Sequence, residues 1–230
     1  QDKNTCGDLY RSKIGFLPQD MVFYNDFTGF DYLGFAAALK ELSPVEAEGR
    51  IRELAEIVGL QNDLHRKCAA YSGGMKQRLG IAQALLNQPE ILILDEPSAG
   101  LDPQERIKLR QIISAFSKDR LVLLSTHIVS DVDSIAKQVM MMESGVINRK
   151  ASSAEFIRQV EGCVWTLMIP ATALEEFQQN TVVSNVVPSG DMMQVRVIDE
   201  KQPSADAERA APNLEDAYLF IFQYTQGRNM

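Results

Sequence analysis

Two acidic side chains stand side by side where an apolar run ends: Asp95 and Glu96 directly follow Ile91-Leu92-Ile93-Leu94. Adjacent residues at a strand end face different ways, so one carboxylate can hold a metal ion while the other orients a water. Mg2+ suits such a pair, because it takes one or two carboxylates together with phosphate oxygens. Glutamate is ionised at neutral pH and can accept a proton or polarise a water. Upstream, Ser72-Gly73-Gly74 opens an amphipathic stretch. Bare backbone at a helix start offers N–H groups and the positive end of the helix dipole to an anion, and glycine permits close approach. His127 follows a second apolar run, Leu121-Val122-Leu123-Leu124, and Ser125-Thr126. There it can donate to a phosphate or to an attacking water. Each feature also has a plain structural reading. The acids can be a solvated strand end, Ser72 and Asp102 can be helix caps, His127 can be structural, and Gln19 can be a loop amide after Pro18.

These residues need a scaffold, and the pattern of the chain supplies one. Ile14-Gly15-Phe16-Leu17 is a short apolar strand stopped by Pro18. Residues 28–42 read as a helix with Thr28 and Asp31 at its start. Ser43, Pro44 and Glu46 form a capping box for a second helix, in which Ile51, Leu54, Ala55 and Val58 follow helical spacing up to Gly59. Residues 60–71 read as a polar connector containing His65, which has no partner for metal or acid–base work. After Ser72-Gly73-Gly74, Met75, Leu79, Ala82 and Leu86 share one helical face. The runs 91–94 and 121–124 lack polar alternation, which predicts strands buried on both faces, as in parallel sheets. Pro103 opens the helix between them, residues 139–142 read as a third apolar strand, Glu143-Ser144-Gly145 as a turn and Val146-Ile147 as the return. Alternation of strands and helices predicts a doubly wound α/β domain. After Lys150 the pattern changes to a short helix from Glu155, a strand at 163–169, a helix at 171–179 and a hairpin of 182–187 with 192–198. A polar linker at 199–212 precedes a last helix opened by Asn213 and Asp216.

Bulk properties bound the function. An apolar fraction of 45% over 230 residues allows a sizeable core,. The net charge of −8 is concentrated in residues 151–230, a poor footprint for nucleic acid, which wants clustered Lys and Arg. Cys6, Cys68 and Cys163 are scattered without C-x-x-C spacing, which fits reduced thiols rather than a zinc cluster,. No apolar stretch approaches the roughly 18 residues needed to span a bilayer. The chain begins with Gln rather than Met, so a longer protein is expected.

In combination the motifs resemble the nucleotide-binding domain of ABC ATPases. Tyr71-Ser72-Gly73-Gly74-Met75-Lys76-Gln77 is similar to the family signature L-S-G-G-x-x-Q, with Tyr for Leu. Ile91 to Glu96 resembles the Walker B strand with its catalytic glutamate, Ser98-Ala99-Gly100-Leu101-Asp102 the D-loop, His127 the switch histidine, and Phe16-Leu17-Pro18-Gln19 the Q-loop. The resemblance implies an α/β, P-loop NTPase-like ABC ATPase core, N-terminally truncated, with a helical subdomain at about 27–88. Residues 1–150 would be this partial ATPase domain and 151–230 a small C-terminal α+β appendage. It also implies ATP and Mg2+ as cofactors. Gln19 would contact Mg2+ and water, Asp95 would support Mg2+, Glu96 would polarise the attacking water, and His127 would contact the γ-phosphate. Ser72, Gly73 and Gly74, with Gln77 in the same motif, would face ATP held by a second ATP-binding subunit, and Asp102 would link the two sites. The subunit would sit on the inner face of the cell membrane, docked through its helical subdomain on a transmembrane permease subunit. The tail around Pro212-Asn213-Leu214-Glu215-Asp216-Ala217-Tyr218-Leu219 resembles the C-terminal end of ATPase subunits of ABC-2-type, multidrug-exporter-like systems. Two alternatives stay open: a degenerate, non-hydrolysing ABC partner subunit, and a soluble non-transport ABC ATPase.

One family element is not in the chain, the phosphate loop G-x-x-x-x-G-K-[ST],. It supplies backbone donors and a lysine, and charge-assisted hydrogen bonds contribute about 1.5–3 kcal/mol each. Three such bonds fewer mean about 4 kcal/mol, roughly a thousandfold in affinity. ATPase activity is therefore expected of the complete protein, and this chain alone is expected to bind ATP weakly. Isothermal titration of the chain with MgATP should give no binding in the micromolar range; micromolar affinity would overturn the expectation.

Overall fold

The computed structural model describes residues 11–224, which form two compact units that meet in sequence at His127 and Ile128. The first unit is built on three parallel strands, β1 (Ile14–Leu17), β2 (Ile91–Asp95) and β3 (Leu121–Ser125), in the order β1-β2-β3. Leu17 lies beside Leu94, and Leu94 beside Leu124, so the C-terminal ends of all three strands reach one edge. Between β1 and β2 run α1 (Gly29–Leu39), α2 (Pro44–Ile57) and α3 (Gly73–Leu85); α4 (Pro103–Phe116) joins β2 to β3.

The caps read from sequence are formed. Thr28 with Asp31 and Ser43 with Glu46 make capping boxes for α1 and α2, and Pro44 sits in the first turn of α2,. The three helices pack on one another through Leu33, Ala37, Ile51, Leu54, Leu79 and Leu85, all buried. Helix α3 also lies close on β1. A Cβ at Gly15 would run into the Ala84 carbonyl, so glycine is required there, and one at Gly80 would displace the side-chain ends of Met21 and Leu17,.

The sheet departs from the expectation of burial on both faces. Gly15, Leu17, Leu92 and Leu94 are buried on one face, whereas on the other Phe16 is 50% exposed, Leu121 63% and Leu123 44%. An apolar run without alternation says that both faces can be covered; what covers them is a tertiary matter. The stretch 60–71 is likewise no mere polar connector. Leu60, Leu64 and Cys68 are buried, and backbone bonds from Gly29 to Arg66 (3.2 Å), Phe30 to Leu64 (2.8 Å) and Cys68 to Phe27 (2.8 Å) pin it to the start of α1. His65 stacks on Phe30 with ring centroids 5.7 Å apart. Tyr71, also buried, donates from its hydroxyl to the Asp63 carbonyl at 2.7 Å, and Tyr32 donates to Gln83.

The second unit begins with α5 (Val129–Ile135) and an antiparallel pair, β4 (Val139–Glu143) and β5 (Val146–Ala151). The turn at 143–145 and the return from Val146 form as read, but the pair makes a two-stranded sheet of its own, so 139–142 is not a further strand of the parallel sheet. It is followed by α6 (Ser153–Arg158), β6 (Val164–Pro170), α7 (Leu174–Asn180), β7 (Val182–Ser189) and β8 (Met192–Ile198). Within 199–212, read as linker, β9 (Glu208–Arg209) adds to the edge of β6, giving the sheet order β7-β8-β6-β9. Helix α8 (Leu214–Leu219) continues into a π-helical turn, Phe220–Tyr224. The unit starts at Ile128 rather than after Lys150 because Met141 of β4 shares a core with Phe156, Val160, Val164, Leu214, Ala217 and Ile221, with Val129 and Val132 packed against it. Asp216 is fully buried and satisfied: it accepts from Arg196 (2.7 Å), from Ser184 Oγ (2.8 Å) and from the Asn213 N–H (2.9 Å). Among the described residues no helix is long and apolar enough to cross a membrane.

Two outcomes follow from this packing. Asp216→Ala leaves Arg196 charged and largely buried without its partner, which should lower stability by about 3 kcal/mol in urea denaturation; a loss below about 1 kcal/mol would contradict the network's role. Burial pushes the phenols of Tyr71 and Tyr32 up to about 12 each. An unfolded tyrosine titrates near 10, so their contribution is fully present below about pH 10 and is lost as pH rises toward about 12. Tyr71→Phe should cost about 1 kcal/mol at neutral pH and make the alkaline loss shallower, read by circular dichroism from pH 8 to about 12.

Candidate nucleotide-facing site

The parallel register gathers the chemistry-bearing residues. Asp95 pairs with Ser125 across β2 and β3, and the Ser125 hydroxyl donates to Asp95 Oδ1 at 2.6 Å. One step on, the Glu96 N–H donates to the Ser125 carbonyl at 2.9 Å, which carries the β2–β3 pairing past the strand end. Glu96 holds φ of +47°, a left-handed conformation that costs a non-glycine residue about 1 kcal/mol or more,. The turn aims its carboxylate sideways along the sheet edge. Oε1 accepts from the His127 N–H at 2.9 Å and faces His127 Nδ1 at 2.9 Å, and Oε2 accepts from Thr126 Oγ1 at 3.4 Å. The Glu96 side chain is only 15% exposed, and the His127 ring is 76% exposed. Gln19, exposed on the bend after β1, follows the strand beside β2. The structure therefore brings Gln19, Asp95, Glu96 and His127 to one edge of one sheet.

The second set lies at the starts of α3 and α4. Ser72 caps α3, accepting the Met75 N–H at 3.2 Å,. Gly73 is exposed, Gly74 is buried and Gln77 is half-buried. Asp102 caps α4, accepting the Glu105 N–H at 2.9 Å. Between Glu96 and Asp102 the chain turns tightly: the Ala99 N–H donates to the Glu96 carbonyl (3.2 Å), the Leu101 N–H to the Ser98 carbonyl (3.3 Å), and Gly100 takes φ of +70°. Ser98 is buried beneath this turn. Glu105 in the first turn of α4 and Arg78 in the second turn of α3 form an ion pair.

Four residues of this arrangement escape a reading by motif: Ser125 and Thr126, which hold the two acids, and Arg78 and Glu105. Hydroxyls at the end of a strand in register with an acid are the signal for the first two. Nothing in the local pattern announces the second pair, because its partners lie on different helices.

Chemically, Asp95 and Gln19 offer oxygen donors. Among the described residues no three His, Cys, Asp or Glu side chains gather as a metal cage. Such a sparse oxygen set fits Mg2+, which keeps waters and phosphate oxygens as its other ligands, better than an ion bound wholly by protein. Glu96 is a carboxylate fixed in place by neighbouring N–H and O–H donors, and the α3 N-terminus, capped by Ser72, has the kind of backbone N–H groups that can bind an anion,.

Residues 2–99 match the family model described as ABC transporter. The chain is 39% identical over 179 residues to the uncharacterized ABC transporter ATP-binding protein YxlF of Bacillus subtilis, covering 78% of this chain and 61% of that protein. It is 35% identical over 155 residues to the bacitracin transport ATP-binding protein BcrA of Enterococcus faecalis, covering 66% of this chain and 49% of that one. A solved ATP-binding subunit of an ABC transporter superposes with a TM-score of 0.59 at 29% identity, covering 69% of this chain and 67% of its own. The chain thus spans less than two thirds of the length of these curated relatives. The matched segment, the sheet that carries it and the motifs aligned along that sheet's edge place the chain in the family of ABC transporter ATP-binding proteins.

Proposed function

We propose that the chain works as the ATP-binding subunit of an ABC transporter and couples ATP hydrolysis at a dimer interface to export through a separate membrane subunit. The observation that carries this reading is the common edge at which Gln19, Asp95, Glu96 and His127 meet, with the Glu96 carboxylate held by donors from Thr126 and His127, just after β3. Asp95 and Gln19 hold Mg2+, which when bound neutralises phosphate charge. Glu96 orients and polarises the attacking water, and its fixed rotamer keeps the carboxylate from wandering between turnovers. His127 steadies Glu96 through Nδ1 and its backbone N–H, and its exposed ring meets the γ-phosphate. Ser72, Gly73, Gly74 and Gln77 face ATP held by a second ATP-binding subunit, and Asp102 links the two sites across the interface.

A transport role is supported by the relative BcrA, whose own name joins ATP binding to bacitracin transport, and the export direction rests on the resemblance of the tail at 212–219 to exporter subunits. The permease partner and the position at the inner face of the membrane belong to the same reading. A non-hydrolysing subunit is less well supported, since a passive platform has no need of a glutamate held in a strained backbone conformation beside a histidine,.

The test is Glu96→Gln in the subunit assembled with its ATP-binding and membrane partners. ATP binding should persist while turnover falls by about a hundredfold or more, the range set by removing a general base. Undiminished hydrolysis would remove Glu96 from the chemistry.

A further inference from the structure

Gly74 and Glu105 meet more closely than their motifs require. A Cβ on Gly74 would lie 2.5 Å from Glu105 Oε2, 2.8 Å from its Cγ and 2.9 Å from its Cδ, so the glycine is needed to admit this carboxylate. Glu105 Oε2 faces Arg78 Nη1 as an ion pair, and Oε1 accepts from Lys108 Nζ at 2.9 Å. The side chains of Arg78 and Glu105 are 11% and 17% exposed. Arg78 Nε, Arg78 Nη1 and Glu105 Oε2 are all buried without a hydrogen bond, so the two side chains compensate one another by charge alone. Burial pushes the Arg78 guanidinium down from its ordinary value, and the charges of Asp63 and Asp102 push it back up. Glu105 is joined to Asp102 as well, through its own N–H at 2.9 Å.

We propose that Glu105 is a positioning residue that joins the Asp102 turn to the Ser72–Gly74 turn, so that the two move as one piece. It does so by three contacts of a single residue: backbone N–H to Asp102, side chain against Gly74, and carboxylate to Arg78 one helical turn further along α3. A displacement of Asp102 is passed to the N–H groups of Gly73 and Gly74 with no flexible segment between. The arrangement also places a carboxylate next to an anion-facing helix start. Arg78 and Lys108 cancel its charge there, and without them it would repel phosphate. The role in turnover rests on the reading of Ser72–Gly74 given above; the linkage itself does not.

The chain labelled with 15N-glycine reads the linkage directly. Asp102→Asn should shift the amide signals of Gly73 and Gly74 and leave those of Gly34 and Gly49, which have open space around them, unmoved. In a Glu105→Ala background that response should disappear, while the Gly15 and Gly80 signals, packed between α3 and β1, report an intact fold. Should Glu105→Ala fail to fold, Glu105→Gln, which keeps the shape and drops the charge, decides by the same criterion. A response that persists without the Glu105 carboxylate, or that is absent in the unaltered chain, overturns the proposal. In the assembled transporter Glu105→Ala should lower kcat by about tenfold to a hundredfold with KM for ATP little changed, as expected when a group is misplaced for the reaction step. An assembly that hydrolyses no ATP with the unaltered chain would sink the reading of Ser72–Gly74 and still leave the glycine signals to decide the linkage.

Discussion

The arrangement of the first unit depends on the parallel pairing of β2 with β1 and β3. Because Leu17, Leu94 and Leu124 stand in one row, the segments that follow them emerge side by side. Three stretches separated by dozens of residues thereby deliver Gln19, Asp95-Glu96 and His127 to the same edge. Ligand sites of open α/β sheets lie at the carboxyl ends of strands for this reason: the backbone groups there are no longer used by the sheet and the loops diverge. The hydrogen bonds from Ser125 to Asp95 and from the His127 N–H to Glu96 extend that pairing into side chains, so the acids inherit the rigidity of the strands.

A second constraint is close approach. Gly15 and Gly80 let α3 lie on β1, and Gly74 lets α4 come against the start of α3. The helix that carries Ser72 is therefore held at both ends, at its C-terminal half by the sheet and at its N-terminus by Glu105. The stretch 60–71 contributes from the other side: Tyr71, immediately before Ser72, is anchored to the Asp63 carbonyl while its neighbours are bonded to α1. Tyrosine in place of the family's leucine adds a polar tip that an aliphatic side chain lacks, and burial of that tip is satisfied by a carbonyl acceptor.

The second unit is stabilised differently. Its core is divided between a helical cluster around Phe156 and Val160 and a sheet cluster around Trp165, Val195 and Val197. Asp216 ties them, since it lies at the start of α8 and bonds to Arg196 of β8 and Ser184 of β7. A buried ion pair of this kind owes its value less to attraction than to the cost of leaving either charge alone, so it fixes which surface of α8 meets the sheet. The sheet face bearing Phe16, Leu121 and Leu123 has no such cover among the described residues.

Much of this was legible in the residues. Caps at Thr28, Ser43, Ser72, Asp102, Ser152 and Asn213 declare themselves locally, because a capping side chain bonds to backbone two or three residues away,. The apolar runs marked the strands, and the spacing of motifs singled out Asp95, Glu96, His127 and Ser72 to Gly74. Tertiary structure decided what local pattern cannot carry. The turn after 139–142 was legible, but not that the hairpin stands as a two-stranded sheet of its own, since pairing is chosen by partners and not by the strand itself. The run 121–124 is apolar throughout, yet half of it is exposed, since burial depends on what packs above it. Residues 208 and 209, polar and short, became an edge strand because β6 offered unpaired backbone groups. Arg78 and Glu105 became partners only when two helix starts were brought into contact, a juxtaposition between positions far apart in sequence that no periodicity encodes.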